Sequence, residues 1–208
     1  MKKLLAVLLA VSLVFAFGAC ADTTSQGDTP QIPTEKPAEP AYVTAANVDM
    51  EKLNVVIETQ FGDIHVALNP EVAPITVTNF QKLVGEGFYD GLTFHRVIDG
   101  FMIQGGASQT KKAECIKGEF TANGVENPLL HKRGVISMAR TDEPNSANSQ
   151  FFIMHADAEH LDGQYAAFGQ VTEGIEVVDE IVMRSPIEDS NGTVATKNQI
   201  KINRIYFK

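Results

Sequence analysis

Residues 94–106 read FHRVIDGFMIQGG, and this stretch carries the pattern that decides the fold. Apolar and polar residues alternate at its start, which is typical of a β-strand with one buried face. By this alternation, Arg96 lies on the same face as Ile98, and His95 lies on the same face as Val97. The stretch therefore predicts a strand that carries one arginine among large apolar neighbours.

Two later segments combine an amide side chain with aromatic residues in a similar way. Residues 146–153 read SANSQFFI, and residues 161–169 read LDGQYAAFG. Alternation places Gln150 and Phe152 on one face of a strand. Since the first stretch also contains an amide, Gln104, we treat the three segments as the candidate functional site.

From about residue 51 onward, the chain consists of short alternating runs separated by Gly, Asn and Asp. Two helices interrupt these runs. Pro74 opens the first, which Gly85 ends, and the second turns Ile175 and Ile181 inward. Many short strands with only two helices are typical of a mainly β fold, a closed or nearly closed β-barrel capped by helices. The other predicted strands are 53–58, 64–68, 134–139, 150–154, 167–171 and 200–207.

The first twenty residues have the features of an export signal. Two lysines precede an apolar run at 4–17, and small residues come directly before Cys20. This order predicts a signal peptide at 1–19. The small residues before a cysteine resemble the lipobox of bacterial lipoproteins, and that resemblance implies lipidation of Cys20. The alternative is a conventional signal peptide cut nearby, which leaves Cys20 as an incidental thiol.

Residues 20–50 are predicted to form a lipid-anchored flexible linker. The segment is polar and has few large apolar groups, so it favours an extended polyproline II chain over a packed one. An anchored chain of this kind predicts an exported protein in the cell envelope, held at the outer face of the bacterial cytoplasmic membrane. The closely spaced prolines of the segment are Pro30, Pro33, Pro37 and Pro40.

The composition excludes several classes of protein. The chain has 208 residues, of which 44% are hydrophobic, and its one long apolar run is N-terminal, so it is not a polytopic membrane protein. Two cysteines cannot form a disulfide framework. A formal charge of −9 disfavours nucleic-acid binding. The five histidines lack metal-ligand spacing, so we expect no metal site and no cofactor.

From about Leu53 to Phe207, the sequence resembles the cyclophilin-type peptidyl-prolyl cis–trans isomerases. The resemblance rests on the first predicted hairpin, on APITVTNF at 73–80 and on GFYDGLTFHR at 87–96, which occur in the same order. It implies a closed eight-stranded antiparallel β-barrel capped by two α-helices over residues 51–208. It also implies an enzyme that accelerates rotation about X–Pro bonds without a cofactor.

Carried over residue by residue, the resemblance makes Arg96 the catalytic residue. Phe101, Met102, Phe152 and Leu161 match a proline pocket, and the two amides match its polar wall. His160 falls where animal members commonly carry Trp, and Tyr165 falls where they carry His. The substrate-binding residues that the resemblance implies are His95, Phe101, Met102, Gln104, Ala139, Arg140, Thr141, Gln150, Phe152, His160, Leu161 and Tyr165.

The sequence leaves other functions open. The first hypothesis is an isomerase for exported proteins, with proline-containing polypeptides as partners, membrane contact through the lipid, and a monomeric state. The second is a chaperone or scaffold module that binds proline segments with incidental turnover. A solute-binding lipoprotein is a weaker third, because such proteins usually have two α/β lobes and greater length. For Arg96 itself, the alternative role is an ion pair with a surface carboxylate.

Overall fold

The computed structural model describes residues 42–208 of the chain. The predicted signal peptide at 1–19, Cys20 and residues 21–41 of the predicted linker lie outside the described residues. Among residues 42–208, no helix has the length and apolar character needed to cross a membrane.

Eight antiparallel strands form a closed barrel, as the sequence analysis predicts, and the structure places them in the order β1-β2-β7-β5-β6-β4-β3-β8. Neighbouring strands lie beside each other with hydrogen-bonded ladders all round, so the sheet has no free edge. The strands are β1 (Asn54–Thr59), β2 (Gly62–Leu68), β3 (Thr93–Ile98), β4 (Met102–Gly105), β5 (Val135–Met138), β6 (Phe151–Met154), β7 (Ala167–Glu173) and β8 (Ile200–Phe207).

The first hairpin shows how alternation sets the barrel interior. β1 and β2 pair in register from Thr59 opposite Gly62, and the Thr59 hydroxyl donates to the Gly62 carbonyl at 2.9 Å across the turn. Val55 and Ile57 on β1, and Ile64 on β2, are almost completely buried. Every second side chain of the hairpin therefore enters the main core, which fixes the register of the pair.

Two α-helices cover the barrel, α1 (Pro74–Gly85) and α2 (Ile175–Arg184). Helix α1 buries Val77 and Phe80 against the main core, and α2 buries Val178 and Ile181 in the same core. The spacing of three residues in each pair places both side chains on one helical face. At the start of α1, the buried carboxylate of Glu119 accepts hydrogen bonds from the Ile75 and Thr76 amides at 3.0 and 2.7 Å.

The packed domain extends N-terminally beyond residue 51, where the sequence analysis places its boundary. Val43 donates to the Cys115 carbonyl at 2.8 Å, and its own carbonyl accepts from the Lys117 amide at 3.0 Å. The Asp49 amide donates to the Gln81 side chain on α1 at 2.9 Å. Backbone pairing therefore holds the last residues of the predicted linker against the domain.

A second, smaller apolar cluster lies on the outer side of part of the sheet. Strands β4 and β6 send alternate side chains in opposite directions, so Ile103 and Ile153 belong to the main core while Met102 and Phe152 belong to the second cluster. This part of the barrel is consequently buried on both faces. The second cluster consists of Met102, Val135, Phe152, Met154, Ala158, Leu161 and Ala167.

Candidate active site

A β-bulge at His95 determines the direction of the Arg96 side chain. In the ladder between β3 and β4, Phe94 pairs with Gly105 and Arg96 pairs with Gln104, so His95 is an extra residue on β3. A bulge of this kind interrupts the alternation of the strand and redirects the side chains that follow it. Arg96 is consequently half-buried on the outer side of the sheet.

The bulge corrects one expectation drawn from simple alternation. Phe94 and Val97 both pack in the main core, so the two successive residues between them, His95 and Arg96, cannot both follow an inside–outside alternation. His95 is half-buried and does not share the core environment of Val97, contrary to the expectation that these two side chains lie on one face. Ile98 packs against the second cluster, on the same side as the arginine, as expected.

A cavity of about 260 Å³ lies beside Arg96, on the second apolar cluster. Three members of that cluster, Met102, Phe152 and Leu161, form its apolar floor. All of the residues around the cavity were predicted from the sequence as site residues, and the structure brings them together. They are Arg96, Phe101, Met102, Gln104, Ala139, Arg140, Phe152, Leu161 and Tyr165.

The Arg96 guanidinium is held by two oxygen acceptors. Its Nε donates to the Asn191 carbonyl at 2.7 Å, and its Nη1 donates to Oε1 of Gln104 at 3.3 Å. The ion pairs within residues 42–208 do not include Arg96. The alternative role of Arg96 as the partner of a surface carboxylate therefore has no support in this part of the chain. A guanidinium has five N–H donors, so donors remain for a molecule in the cavity.

The two amides of the polar wall, Gln104 and Gln150, form a hydrogen-bonded relay that starts at the arginine. Gln104 accepts from Arg96 with its oxygen and donates from Nε2 to Oε1 of Gln150 at 3.0 Å. This pattern uses both ends of the Gln104 amide and fixes its orientation. The relay thus limits the positions that the arginine can adopt.

A second, smaller cavity of about 140 Å³ adjoins the first. Gln104, Ala139 and Arg140 line both cavities, so the two are adjacent. Thr141 and Gln150, both predicted as site residues, line this second cavity. The two cavities therefore form one continuous depression that passes Ala139.

The Arg140 side chain packs between two aromatic rings at the border of the cavities. Its guanidinium lies 4.8 Å from the ring centres of both Phe120 and Tyr165, within the range of cation–π attraction. It also donates from Nη2 to the Gln164 carbonyl at 2.9 Å. Arg140 therefore forms a fixed wall of the site, and it holds the Tyr165 ring that borders the larger cavity.

Two predicted site histidines lie outside both cavities. His160 is exposed and stacks on Phe101 with ring centres 5.5 Å apart, so it lies at the rim. His95 directly precedes Arg96 on β3, and burial is the main cause that lowers the pKa of its imidazole, with a further decrease from the adjacent guanidinium. His95 is consequently neutral at pH 7, and it adds no second positive charge beside the arginine.

The part of the chain that the structure describes contains no group of three or more His, Cys, Asp or Glu side chains placed to hold a metal ion. The chemistry that the site presents is a positioned cation beside an apolar cavity. Such a site can bind a ring and orient donors toward it.

The family model described as cyclophilin type peptidyl-prolyl cis-trans isomerase/CLD matches residues 54–206, which include both helices and all eight strands except the last residue of β8, Phe207. The chain belongs to the cyclophilin family. The match includes the whole barrel and both cavities, and cyclophilins bind proline-containing peptides.

Named relatives agree with this assignment. Peptidyl-prolyl cis-trans isomerase A of Dickeya dadantii is 47% identical over 133 residues, which cover 62% of this chain and 70% of that protein. A probable peptidyl-prolyl cis-trans isomerase of Brucella suis is 39% identical over 174 residues, covering 77% and 85% of the two chains. This cyclophilin is a peptidyl-prolyl cis–trans isomerase.

Solved structures show the same fold. The crystal structure of cyclophilin AquaCyp293 from Hirschia baltica has a TM-score of 0.63 at 28% identity, and the match covers 77% of this chain and 75% of that one. A cyclophilin-type isomerase from Cryptosporidium parvum has a TM-score of 0.65 at 30% identity, covering 75% and 97% of the two chains.

Several residues that support the site in this cyclophilin were not predicted from the sequence. His131 is buried directly beneath Phe152, with ring centres 5.9 Å apart and nearly parallel planes. Its Nδ1 lies 3.0 Å from Oδ1 of Asp162, and its Nε2 lies 3.1 Å from the Ser137 hydroxyl. Burial lowers the pKa of His131 against the opposing effect of Asp162, so a neutral ring donates to the carboxylate and accepts from Ser137.

This buried network was not predicted because His131 stands alone in the sequence, outside the three candidate segments. Asp162 belongs to the third segment, but its partner is 31 positions away along the chain. Asn191 was also missed, since it contributes a backbone carbonyl and its side-chain type therefore gives no signal.

Proposed function

We propose that Arg96 is the catalytic residue of this isomerase and that the larger cavity holds the proline ring of the substrate. The observation that supports the proposal is the position of the guanidinium. It lies at the wall of an apolar cavity, is held by two neutral acceptors, and is not part of any ion pair among residues 42–208. Its charge is therefore available to a bound peptide.

Catalysis of X–Pro rotation needs little more than a positioned guanidinium. Rotation about an X–Pro bond has a barrier of about 18–20 kcal/mol, because the nitrogen lone pair is delocalised into the carbonyl. In the twisted transition state, this lone pair returns to the nitrogen and can accept a hydrogen bond. A guanidinium N–H aimed at that nitrogen therefore bonds the twisted form better than the planar one, which lowers the barrier.

The apolar side chains that line the larger cavity support this action in two ways. Phe101, Met102 and Phe152 hold the ring while the preceding carbonyl rotates. They also exclude water, and a hydrogen bond from Arg96 is stronger in a site of low dielectric than in solvent. Neither role requires a nucleophile, a proton transfer or a metal.

Substitution of the arginine tests the proposal. We expect Arg96→Ala to lower kcat/KM about 10²–10³-fold, in line with the loss of one preorganised donor. Arg96→Lys keeps the charge but loses the planar fork, so its activity should lie between that of the alanine variant and the wild type. Arg184→Ala, at the exposed end of α2 beside Glu180, is the matched control. A folded Arg96→Ala protein with near-normal activity contradicts the proposal.

The same assay separates the enzyme from the alternative chaperone or scaffold role. NMR exchange spectroscopy of an Ala-Pro peptide measures cis–trans interconversion without a coupled protease. An isomerase accelerates the interconversion in wild type and loses this effect in Arg96→Ala. A module that only binds proline segments instead slows the interconversion in both proteins.

We further propose that the isomerase acts as a monomer on exported proteins, from a lipid anchor at the outer face of a bacterial cytoplasmic membrane. The support is the order of a basic start, an apolar run and a cysteine at position 20, followed by a polar, proline-rich segment. Uncatalysed prolyl isomerisation takes tens to hundreds of seconds, so it limits the folding of secreted chains.

Metabolic labelling with radioactive palmitate tests the anchor. We expect label in wild type and in Cys115→Ser, and none in Cys20→Ser, because Cys115 belongs to the packed domain and serves as the matched thiol control. An unlabelled wild-type protein in the soluble fraction of the envelope would instead support a conventional signal peptide.

A further inference from the structure

The edge of β3 that faces away from β4 is held by two different segments. Strand β8 pairs with the first two residues of β3. Beyond these two residues, the segment that follows α2 pairs with β3 instead. The Val97 amide donates to the Gly192 carbonyl at 2.8 Å, and the Val194 amide donates to the His95 carbonyl at 3.0 Å. These two bonds lie on either side of Arg96, directly after the bulge that redirects it.

The same chain segment also holds the arginine side chain. Asn191 supplies the carbonyl that accepts from Arg96 Nε at 2.7 Å, the shorter of the two guanidinium contacts. Thr193 forms an isolated bridge opposite Arg96. One short turn therefore contacts both the backbone and the guanidinium of the same residue.

A single carboxylate organises this turn. Oδ1 of Asp189 accepts from the Asn191 amide at 2.9 Å and from the Thr193 amide at 3.1 Å, and the Asp189 carbonyl accepts from the Gly192 amide at 3.1 Å. The bond from Thr193 is the largest of the causes that lower the pKa of Asp189, so the group is ionised at neutral pH. The side chain thereby fixes the two peptide units on either side of the one that carries the Asn191 carbonyl, and the Asp189 backbone carbonyl holds that unit itself.

The turn also approaches β3 too closely for any residue but glycine at position 192. Gly192 has φ +79°, a left-handed conformation that L side chains rarely adopt. A Cβ atom at this position would clash with the Val97 carbonyl oxygen. The backbone is therefore built to dock directly against the strand beside the arginine.

We propose that the turn Asp189–Thr193 is a positioning element for the arginine of the isomerase, and that Asp189 is its positioning residue. The proposal rests on the catalytic role proposed for Arg96. None of the residues of the turn lines either cavity, so the effect on the reaction is transmitted through Arg96.

Arg96 needs such support because its side chain is long and flexible. A free arginine side chain occupies many rotamers, and an unsupported side chain would lose that conformational entropy on reaching the transition state. Fixing Nε against a carbonyl sets the plane of the guanidinium, and Gln104 then limits rotation at one terminal nitrogen. The remaining N–H groups are thereby preorganised for the substrate.

The test compares three variants of the purified protein. Asp189→Ala removes the acceptor that organises the turn, whereas Asp189→Asn keeps a side-chain oxygen at that place and should restore function. Glu188→Ala is the matched control, because it removes a neighbouring exposed carboxylate that makes no hydrogen bond or ion pair within residues 42–208. Unfolding temperature, kcat and KM are measured for each, and NMR follows solvent exchange of the Arg96 Nε–H.

We expect Asp189→Ala to lower kcat about tenfold with KM nearly unchanged, since misplacement of a catalytic group mainly raises the barrier. The Arg96 Nε–H should exchange with water at least tenfold faster. Asp189→Asn and Glu188→Ala should both stay within about twofold of wild type. A merely structural turn would instead lower the unfolding temperature and leave the Nε–H exchange of the folded protein unchanged, and this result overturns the proposal.

Arg96→Ala, measured in parallel, separates the two hypotheses. When Asp189→Ala accelerates Nε–H exchange but keeps full turnover while Arg96→Ala is inactive, the positioning role is wrong. When Arg96→Ala is itself active, the assignment of the catalytic arginine is the hypothesis that fails.

Discussion

Replacing Gln104 with alanine should lower kcat/KM about tenfold while leaving the fold intact. Its Oε1 accepts from the Arg96 guanidinium at 3.3 Å, and its Nε2 donates to Gln150 at 3.0 Å. Hydrogen bonds to charged groups contribute about 1.5–3 kcal/mol, and one at this length belongs at or below the lower end of that range. A loss of about 1–1.5 kcal/mol in the transition state corresponds to about 5–13-fold in rate.

The predicted loss should fall mainly on kcat, because Gln104 acts on the arginine more than on the bound ring. The assay is NMR exchange of an Ala-Pro peptide at several peptide concentrations, which separates kcat from KM without a coupled protease. Gln170→Ala is the matched control. Gln170 is exposed on β7, donates to the Arg133 carbonyl and lines neither cavity, so its loss should not alter turnover.

A graded second variant sharpens the prediction. Gln150→Ala removes the group that orients Gln104 but leaves the contact with Arg96, so the rate should fall by less than about threefold. The reasoning is refuted if Gln104→Ala keeps wild-type kcat at an unchanged unfolding temperature. It is also refuted if Gln150→Ala has the larger effect, since the relay would then not act through the arginine.

Three further predictions concern stability, and each is checked by urea unfolding monitored by circular dichroism. Glu119→Ala should lower the unfolding free energy by about 3–5 kcal/mol, because the Ile75 and Thr76 amides and the Thr76 hydroxyl lose the buried carboxylate that accepts their hydrogen bonds. Glu126→Ala, at an exposed position, should change it little. Burial lowers the pKa of His131, so the unfolded state binds its proton more readily, and the unfolding free energy should fall as the pH drops below about 6.5. The slope of unfolding free energy against pH should be smaller in His131→Gln. An equal slope in the two proteins contradicts this assignment. Gly174→Ala should lower the unfolding free energy by about 2 kcal/mol or more, because the φ of Gly174 is +82° and a Cβ atom would clash with a backbone carbonyl oxygen. An unchanged urea midpoint would rule this out.

The barrel could be predicted from the sequence because its elements depend on local patterns. In β1 and β2, apolar residues alternate on both sides of a short turn, and pairing follows from that pattern alone. Helix α1 has Pro74 at its first turn and apolar residues three and four positions apart. The positions of the nine residues around the larger cavity followed from the family resemblance, and the structure places them together.

Long-range polar contacts could not be predicted in this way. Glu119 caps α1 from 43 or 44 positions away, and Asn191 reaches Arg96 from 95 positions away. Each of these contacts uses an acceptor that is common in loops, so the residue type carries little information. The segment 42–50 was likewise assigned to the linker, since it directly follows the proline-rich stretch and its isolated β-bridge from Val43 to Ile116 is not visible as a pattern.

The bulge at His95 shows why alternation alone fails at the most important position. Phe94 fills the main core, and with strict alternation Arg96, two residues later, would point into the same core. A buried, unpaired guanidinium there would lower the stability of the fold by several kcal/mol. The core therefore requires Phe94 and Val97 on its side of β3, whereas the site requires Arg96 on the other side. One extra residue satisfies both, because it keeps Phe94 and Val97 inside while it turns the arginine outward, opposite Gln104. The bulge therefore serves the placement of Arg96 and not the closure of the barrel. It is visible only in the pairing of β3 with β4, because that pairing sets the register.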